Sequence, residues 1–155
     1  RVIRYLKRWK DHKFSSNGNA APIGIGLTIS AYNWFSPNKT TDNVTNTTKY
    51  NDLQATRGVV SGMLNNFGDR LRVYLPVEPY SELFGKMTDN QMTNLKEKLE
   101  DLLEALDSAI SEVDPVKACE TLKKVFGDDF PVPEKPDTGE KKGRAISTAS
   151  ASAHA

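Results

Sequence analysis

The sequence predicts a mostly α-helical fold: a helical bundle over residues 1–133, followed by an extended C-terminal tail over residues 134–155. Three observations predict it. Apolar residues recur at helical spacing in several separate stretches. Two of those stretches open on N-capping signatures, and two close on a glycine stop. Beyond Pro133 the chain is proline-punctuated, then charged, then rich in Ser and Ala, and no core can be built from that. At 155 residues the chain is long enough for one hydrophobic core.

The first helix is amphipathic and basic. Val2, Tyr5, Leu6 and Trp9 share one face with Ile3 alongside, while Arg1, Arg4, Lys7, Arg8 and Asp11 lie opposite. The stretch RVIRYLKRWKDHK carries six Lys or Arg against one Asp. It opens at Arg1, within the helical pattern and without a Met, and so reads as part of a longer chain. SSNGNAAP then breaks the helix. PIGIGLTISAYNWF supports two readings. Ile23, Ile25, Leu27 and Ile29 alternate as in a buried strand, whereas Pro22 suits a first helical position and apolar residues on all sides suit a buried helix.

SPNKTTDNVTNTTKYND reads as loop, and its formal glycosylation sequons at Asn38, Asn43 and Asn46 follow from Asn/Thr composition. A helix begins near Asp52, with the stripe Leu53, Val60, Met63, Leu64 and Phe67 and with Gly68 as its stop. RLRVYLPV suggests a short extended segment, Pro76 and Pro79 keep VEPY irregular, and SELFGKM suggests a turn of helix. Thr88 and Gln91 form a capping box for the longest helix, striped by Met92, Leu95, Leu99, Leu102, Leu103, Leu106, Ile110 and Val113. Asp114 as N-cap and Pro115 as first helical residue open a last helix that runs through Phe126 to Gly127.

This chain carries no catalytic set. Its formal net charge is +1, and it has no apolar run of membrane-spanning length. One cysteine, Cys119, excludes an internal disulfide and fits a reducing cytoplasm; on the stripe Val116, Cys119, Leu122, Phe126 it reads as a small core residue. Asp128 and Asp129 read as a solvated acidic turn, and His12 and His154 lack zinc-ligand spacing. GIG is too short for a phosphate-cradling loop. What remains is the basic helix. It is either a solvated face or a surface that neutralises phosphates, of a nucleotide or of a nucleic acid gripped by Arg1, Arg4, Lys7 and Arg8.

IRYLKRWKD, PIGIGLTISAYNWF, RVYLPVEPYSELFGKM and LKKVFGDDFPVP, in that order, resemble the C-terminal half of bacterial cyclic oligonucleotide synthases. These are the cyclic GMP-AMP synthase/DncV-like nucleotidyltransferases of anti-phage CBASS systems, and the likeness is greatest to the clade making cyclic trinucleotides. The resemblance covers residues 1 to about 133. It implies a helical C-terminal lobe of a nucleotidyltransferase, and it turns PIGIGLTISAYNWF from strand to buried helix against β-branched propensity. It implies ATP and GTP as substrates. It also implies a catalytic lobe in which a Gly-Ser turn and an Asp-x-Asp pair hold Mg2+; neither motif occurs in this chain. In relatives, a lysine two residues before the helix Trp contacts the donor triphosphate, and Lys7 matches it. A partner serine often follows the helix-opening proline, but this chain reads Pro22-Ile23-Gly24, leaving a backbone amide or Thr28 to substitute.

Many relatives act with a fusion of ubiquitin-activating-like and ubiquitin-conjugating-like domains, which adenylates the synthase's C-terminal carboxylate and transfers it to an amine. The tail suits such a partner. EKPDTGEKKGR gives reach, AISTASASAHA ends slim, and 22 residues span at most roughly 70–80 Å when fully extended. The resemblance thus marks the Ala155 carboxylate as the conjugation site, held by the partner as an added strand or within a cleft.

Overall fold

The computed structural model describes residues 1–14, 21–22 and 24–134. Most of the SSNGNAAP link, Ile23, the body of the tail and Ala155 lie outside the described residues. The elements in order are α1 (Val2–Lys13), α2 (Gly24–Trp34), β1 (Lys39–Asp42), β2 (Thr47–Tyr50), α3 (Asp52–Asn65), α4 (Asp89–Ser111) and α5 (Pro115–Phe126). The fold is a helical bundle, as the sequence predicts.

Helix α4 is its central post, packed against α3 on one side and α5 on the other. Thr88 Oγ1 accepts from Gln91 N at 3.2 Å while Gln91 Oε1 accepts from Thr88 N at 2.9 Å, closing the capping box. Leu95, Leu99, Leu102 and Leu106 are fully buried, and each contributes about 1.5–3 kcal/mol by leaving water. The stripe ends earlier than the spacing suggests. Val113 is 95% exposed and lies beyond the helix. Pro115 disfavours helical backbone at the residue before it, and Glu112 is already extended at ψ 125°. Asp114 Oδ1 then accepts from Val116 N at 2.9 Å, and Gly127 at φ +107° ends α5, both as expected.

The Asn/Thr-rich stretch is not a plain loop but an antiparallel hairpin, with Lys39 opposite Tyr50 and Asp42 opposite Thr47. Asp42 Oδ1 accepts from Val44 N at 2.9 Å and starts the turn. All eight strand residues are exposed, so the hairpin has no apolar alternation by which to be recognised. Asn51 caps α3 by accepting from Gln54 N at 3.1 Å. That helix ends at Asn65, before Gly68, whose φ of +49° serves the following turn instead.

Residues 70–87 form a clasped loop. Tyr74 bridges Glu82, and Glu82 Oε1 accepts from Val73 N and Phe84 N, each at 3.1 Å. Arg70 Nη2 donates to the Phe84 and Met87 carbonyls at 3.1 and 2.7 Å. SELFGKM is turns rather than helix. The clasp presents the buried Phe84 ring to α2.

Helix α2 settles the ambiguous segment. Its buried residues Gly26, Leu27, Ser30 and Ala31 follow helical spacing, three of them small. Ser30 Oγ donates to the Gly26 carbonyl at 2.7 Å, which satisfies the buried hydroxyl within the helix. A Cβ at Gly26 would stand 2.6 Å from Phe84 Cζ, so close approach rather than propensity decides this segment. Among the described residues, no helix is long and apolar enough to cross a membrane.

Candidate functional site

Burial of Val2, Leu6 and Trp9 fixes how α1 is turned about its axis. One flank then faces α3 and α5. The Tyr5 ring centroid is 5.5 Å from that of Phe126, which stacks in turn on Phe130 at 5.6 Å. Arg8 pairs with Asp129, and His12 Nε2 donates to the Lys124 carbonyl at 3.1 Å near the C-terminus of α5. Arg1 Nη1 donates to Asp52 Oδ2 at 3.1 Å, at the start of α3. Two of the four cations in the basic row are therefore matched by carboxylates.

Ile3 and Lys7, four residues apart, lie on the flank toward α2. Lys7 Cε lies 3.7 Å from the point where a Cβ at Gly24 would stand. Gly24 is the first residue of α2, so the lysine stem lies beside the start of that helix. The first-turn amides of a helix have no acceptor within it, and together they carry a partial positive charge. An exposed ammonium beside such amides favours a phosphate group. Lys7 and Arg4 have no ion-pair partner among the described residues.

The other residues singled out in the sequence are placed as follows. Thr28 Oγ1 donates to the Gly24 carbonyl at 3.0 Å, so its proton is committed within α2. Cys119 is half-buried on α5. Asp129 serves Arg8, and among the described residues no group of three or more His, Cys, Asp or Glu could hold a metal ion. The displaced carboxyls are exposed ones elsewhere. Arg72 donates to Asp69 and holds it down to about 2, and the Val44 amide chiefly lowers Asp42.

Sequence reasoning missed a groove of about 450 Å³ between α1 and α2, bordered by Val2, Ile3, Ile29, Tyr32, Phe35 and Pro76. Its mouth lies at the first turn of α1 and the C-terminal half of α2, so the two helices run antiparallel. The signal was present as Ile29 and Tyr32, three residues apart, but it becomes readable only once α2 is known to be a helix.

No protein-family model and no curated protein matches the chain. Among solved structures it is similar to a point mutant of the Vibrio cholerae di-nucleotide cyclase (DncV) in complex with ATP, GTP and 5MTHFGLU2. The two share 20% identity with a TM-score of 0.60, over 86% of this chain and 34% of that one. This chain thus spans about a third of that protein's length. The likeness shows that its five-helix bundle has the fold of one part of the cyclase.

Proposed function

We propose that this chain is the C-terminal helical lobe of a bacterial, cytoplasmic cyclic oligonucleotide synthase. The whole protein would join ATP and GTP into a cyclic di- or trinucleotide messenger in anti-phage defence. Lys7 beside Gly24, at the start of α2, is the observation that carries this reading. A point charge beside helix-end amides suits the donor triphosphate, and the fold is shared with part of a cyclase whose structure holds ATP and GTP. Magnesium and the transfer chemistry belong to a catalytic lobe outside this chain. The role of this lobe is to seat phosphate, orient it and neutralise its charge. The test is Lys7→Ala in the full-length protein, read on triphosphate use.

A nucleic-acid surface on Arg1, Arg4, Lys7 and Arg8 is the second reading. The Asp52 and Asp129 pairings weaken it, because two of its four cations would have to exchange a carboxylate for a backbone phosphate. Steep salt dependence of duplex binding would favour it.

The tail extends the proposal to a partner. We assign the Ala155 carboxylate as the group that a ubiquitin-activating/conjugating-like protein adenylates and passes to an amine. Ala155→Glu, or removal of the last few residues, is expected to abolish conjugation while nucleotide synthesis continues. Synthesis lost in parallel in a purified reaction without the partner contradicts this separation of roles.

A further inference from the structure

We propose that the arginine cleft on α1 is the docking surface for the chain's own acidic segment, residues 134–137, which continues along α1 as an extended strap. Its contacts are Glu134 with Arg4 and Asp137 with Arg1. This docking does not depend on the synthase activity, only on the path of the chain after α5 and the charges along it.

Three contacts set the path. A Cβ at Gly127 would stand 3.5 Å from His12 Nδ1, so the chain leaves α5 beside the C-terminal end of α1. Asp129 then pairs with Arg8, about one turn back along α1. Phe130 stacks on Phe126 at 5.6 Å and borders a crevice of about 110 Å³ with Tyr5, Leu53 and Thr56. Contacts at His12, then Arg8, then Tyr5 mean that the chain runs antiparallel to α1. The same direction leads to Arg4 and Arg1.

The cleft ahead is lined by cations. Arg1, Arg4, Tyr5 and Arg8 border a volume of about 270 Å³. Asp52 and Asp129 match Arg1 and Arg8, whereas Arg4 is exposed and has no ion-pair partner among the described residues. A guanidinium has several N–H donors in a fork, and the Arg1 side chain is still 77% exposed, so it can accept a second carboxylate beside Asp52. Helical side chains lean toward the N-terminus, which carries the Arg4 and Arg1 heads further along the same path.

The sequence after Phe130 supplies the complement. Pro131, Pro133 and Pro136 favour polyproline II backbone, with about 3.1 Å per residue and three residues per turn. At that period Glu134 and Asp137 fall on one edge of the strap and Lys135 on another. Pro131 to Glu134 then span about 12 Å, enough to pass from the seat of Phe130 beside Tyr5 to the Arg4 head. Asp137, outside the described residues, follows about 9 Å later. Exposed ion pairs are individually weak. Here the packed Phe130 tethers the segment at the edge of the cleft, at an effective concentration of order millimolar. The prolines also lower the entropy lost on docking. A second copy or a separate acidic peptide has neither advantage. The strap covers cations that a nucleic-acid surface would need, and it leaves residues 138–155 to reach a partner.

Amide heteronuclear NOE measurements on the full-length protein at low salt test the strap. The values at Lys135, Asp137 and Thr138 are expected to fall several-fold in Arg4→Glu and in Glu134→Lys. Combining the two substitutions should restore them, with Ala149 unchanged throughout. Both altered residues are exposed, so the helical circular dichroism should not change, and Glu134→Lys lies outside the bundle altogether. Salt at about 0.5 M should act like either single variant, because it screens exposed pairs. Values indifferent to both single variants overturn the proposal, as does a combination that restores nothing. Values that fall on dilution also overturn it, because they assign the cleft to the tail of a second copy.

Discussion

Lys7→Ala in the full-length protein is expected to lower kcat/KM for nucleoside triphosphate by roughly 10- to 150-fold, the loss of one charge-assisted phosphate contact worth about 1.5–3 kcal/mol. Most of it should fall on KM if the contact is equal in ground and transition states. Lys7→Arg should recover only part, because a planar fork above Gly24 cannot replace a compact ammonium at the same reach. The fold should be untouched, since Lys7 is exposed and makes no ion pair among the described residues. Steady-state kinetics with ATP and GTP check it. Unchanged kcat and KM refute the assignment.

Gly26→Ala should be among the most damaging single-methyl changes in the bundle. The added carbon would stand 2.6 Å from Phe84 Cζ, and closer still to Cε1. Neither partner can yield easily, because Phe84 is 1% exposed and its loop is pinned by Arg70 and Glu82. Overpacking of this kind costs about 1–3 kcal/mol. At roughly 2–8 °C per kcal/mol, the melting temperature should fall by several degrees or more. The neighbouring glycines supply controls. At Gly24 the nearest atom is Lys7 Cε at an ordinary 3.7 Å, and at Gly58 in α3 nothing lies within 4 Å. Gly24→Ala should be nearly neutral, and Gly58→Ala should stabilise by about 0.5–1 kcal/mol through helix propensity. Thermal unfolding of the three variants checks the order, and a Gly26→Ala protein as stable as the parent contradicts the packing account. Since α2 carries the first-turn amides, weakened triphosphate binding should accompany the loss of stability.

Much of the fold was readable in the sequence because its signals are local. Thr88 with Gln91, Asp114 with Pro115, and Gly127 each act within one turn, and the α4 leucines from Leu95 to Leu106 repeat over about three turns. The helix over PIGIGLTISAYNWF was not readable from its residues. Ile25 and Ile29 favour a strand, and only the approach of Phe84, some sixty residues on, explains why small residues occupy the inner face. The hairpin escaped because every strand residue is exposed. Lys7 was marked by resemblance, whereas its position over Gly24 is a tertiary fact. The pairing of Arg8 with Asp129 joins residues of opposite charge that sequence reasoning assigned to a basic row and an acidic turn. The groove beside Ile3 required both helices to be in place.

The central claim is that Lys7 and the first turn of α2 form one phosphate seat. Amide-resolved NMR of the full-length protein, titrated with inorganic triphosphate, tests it most directly. The account expects the largest shifts at the Gly24 and Ile25 amides, saturable, and lost in Lys7→Ala. Shifts centred instead on Arg1, Arg4 and Arg8, with Gly24 and Ile25 unmoved, would contradict it.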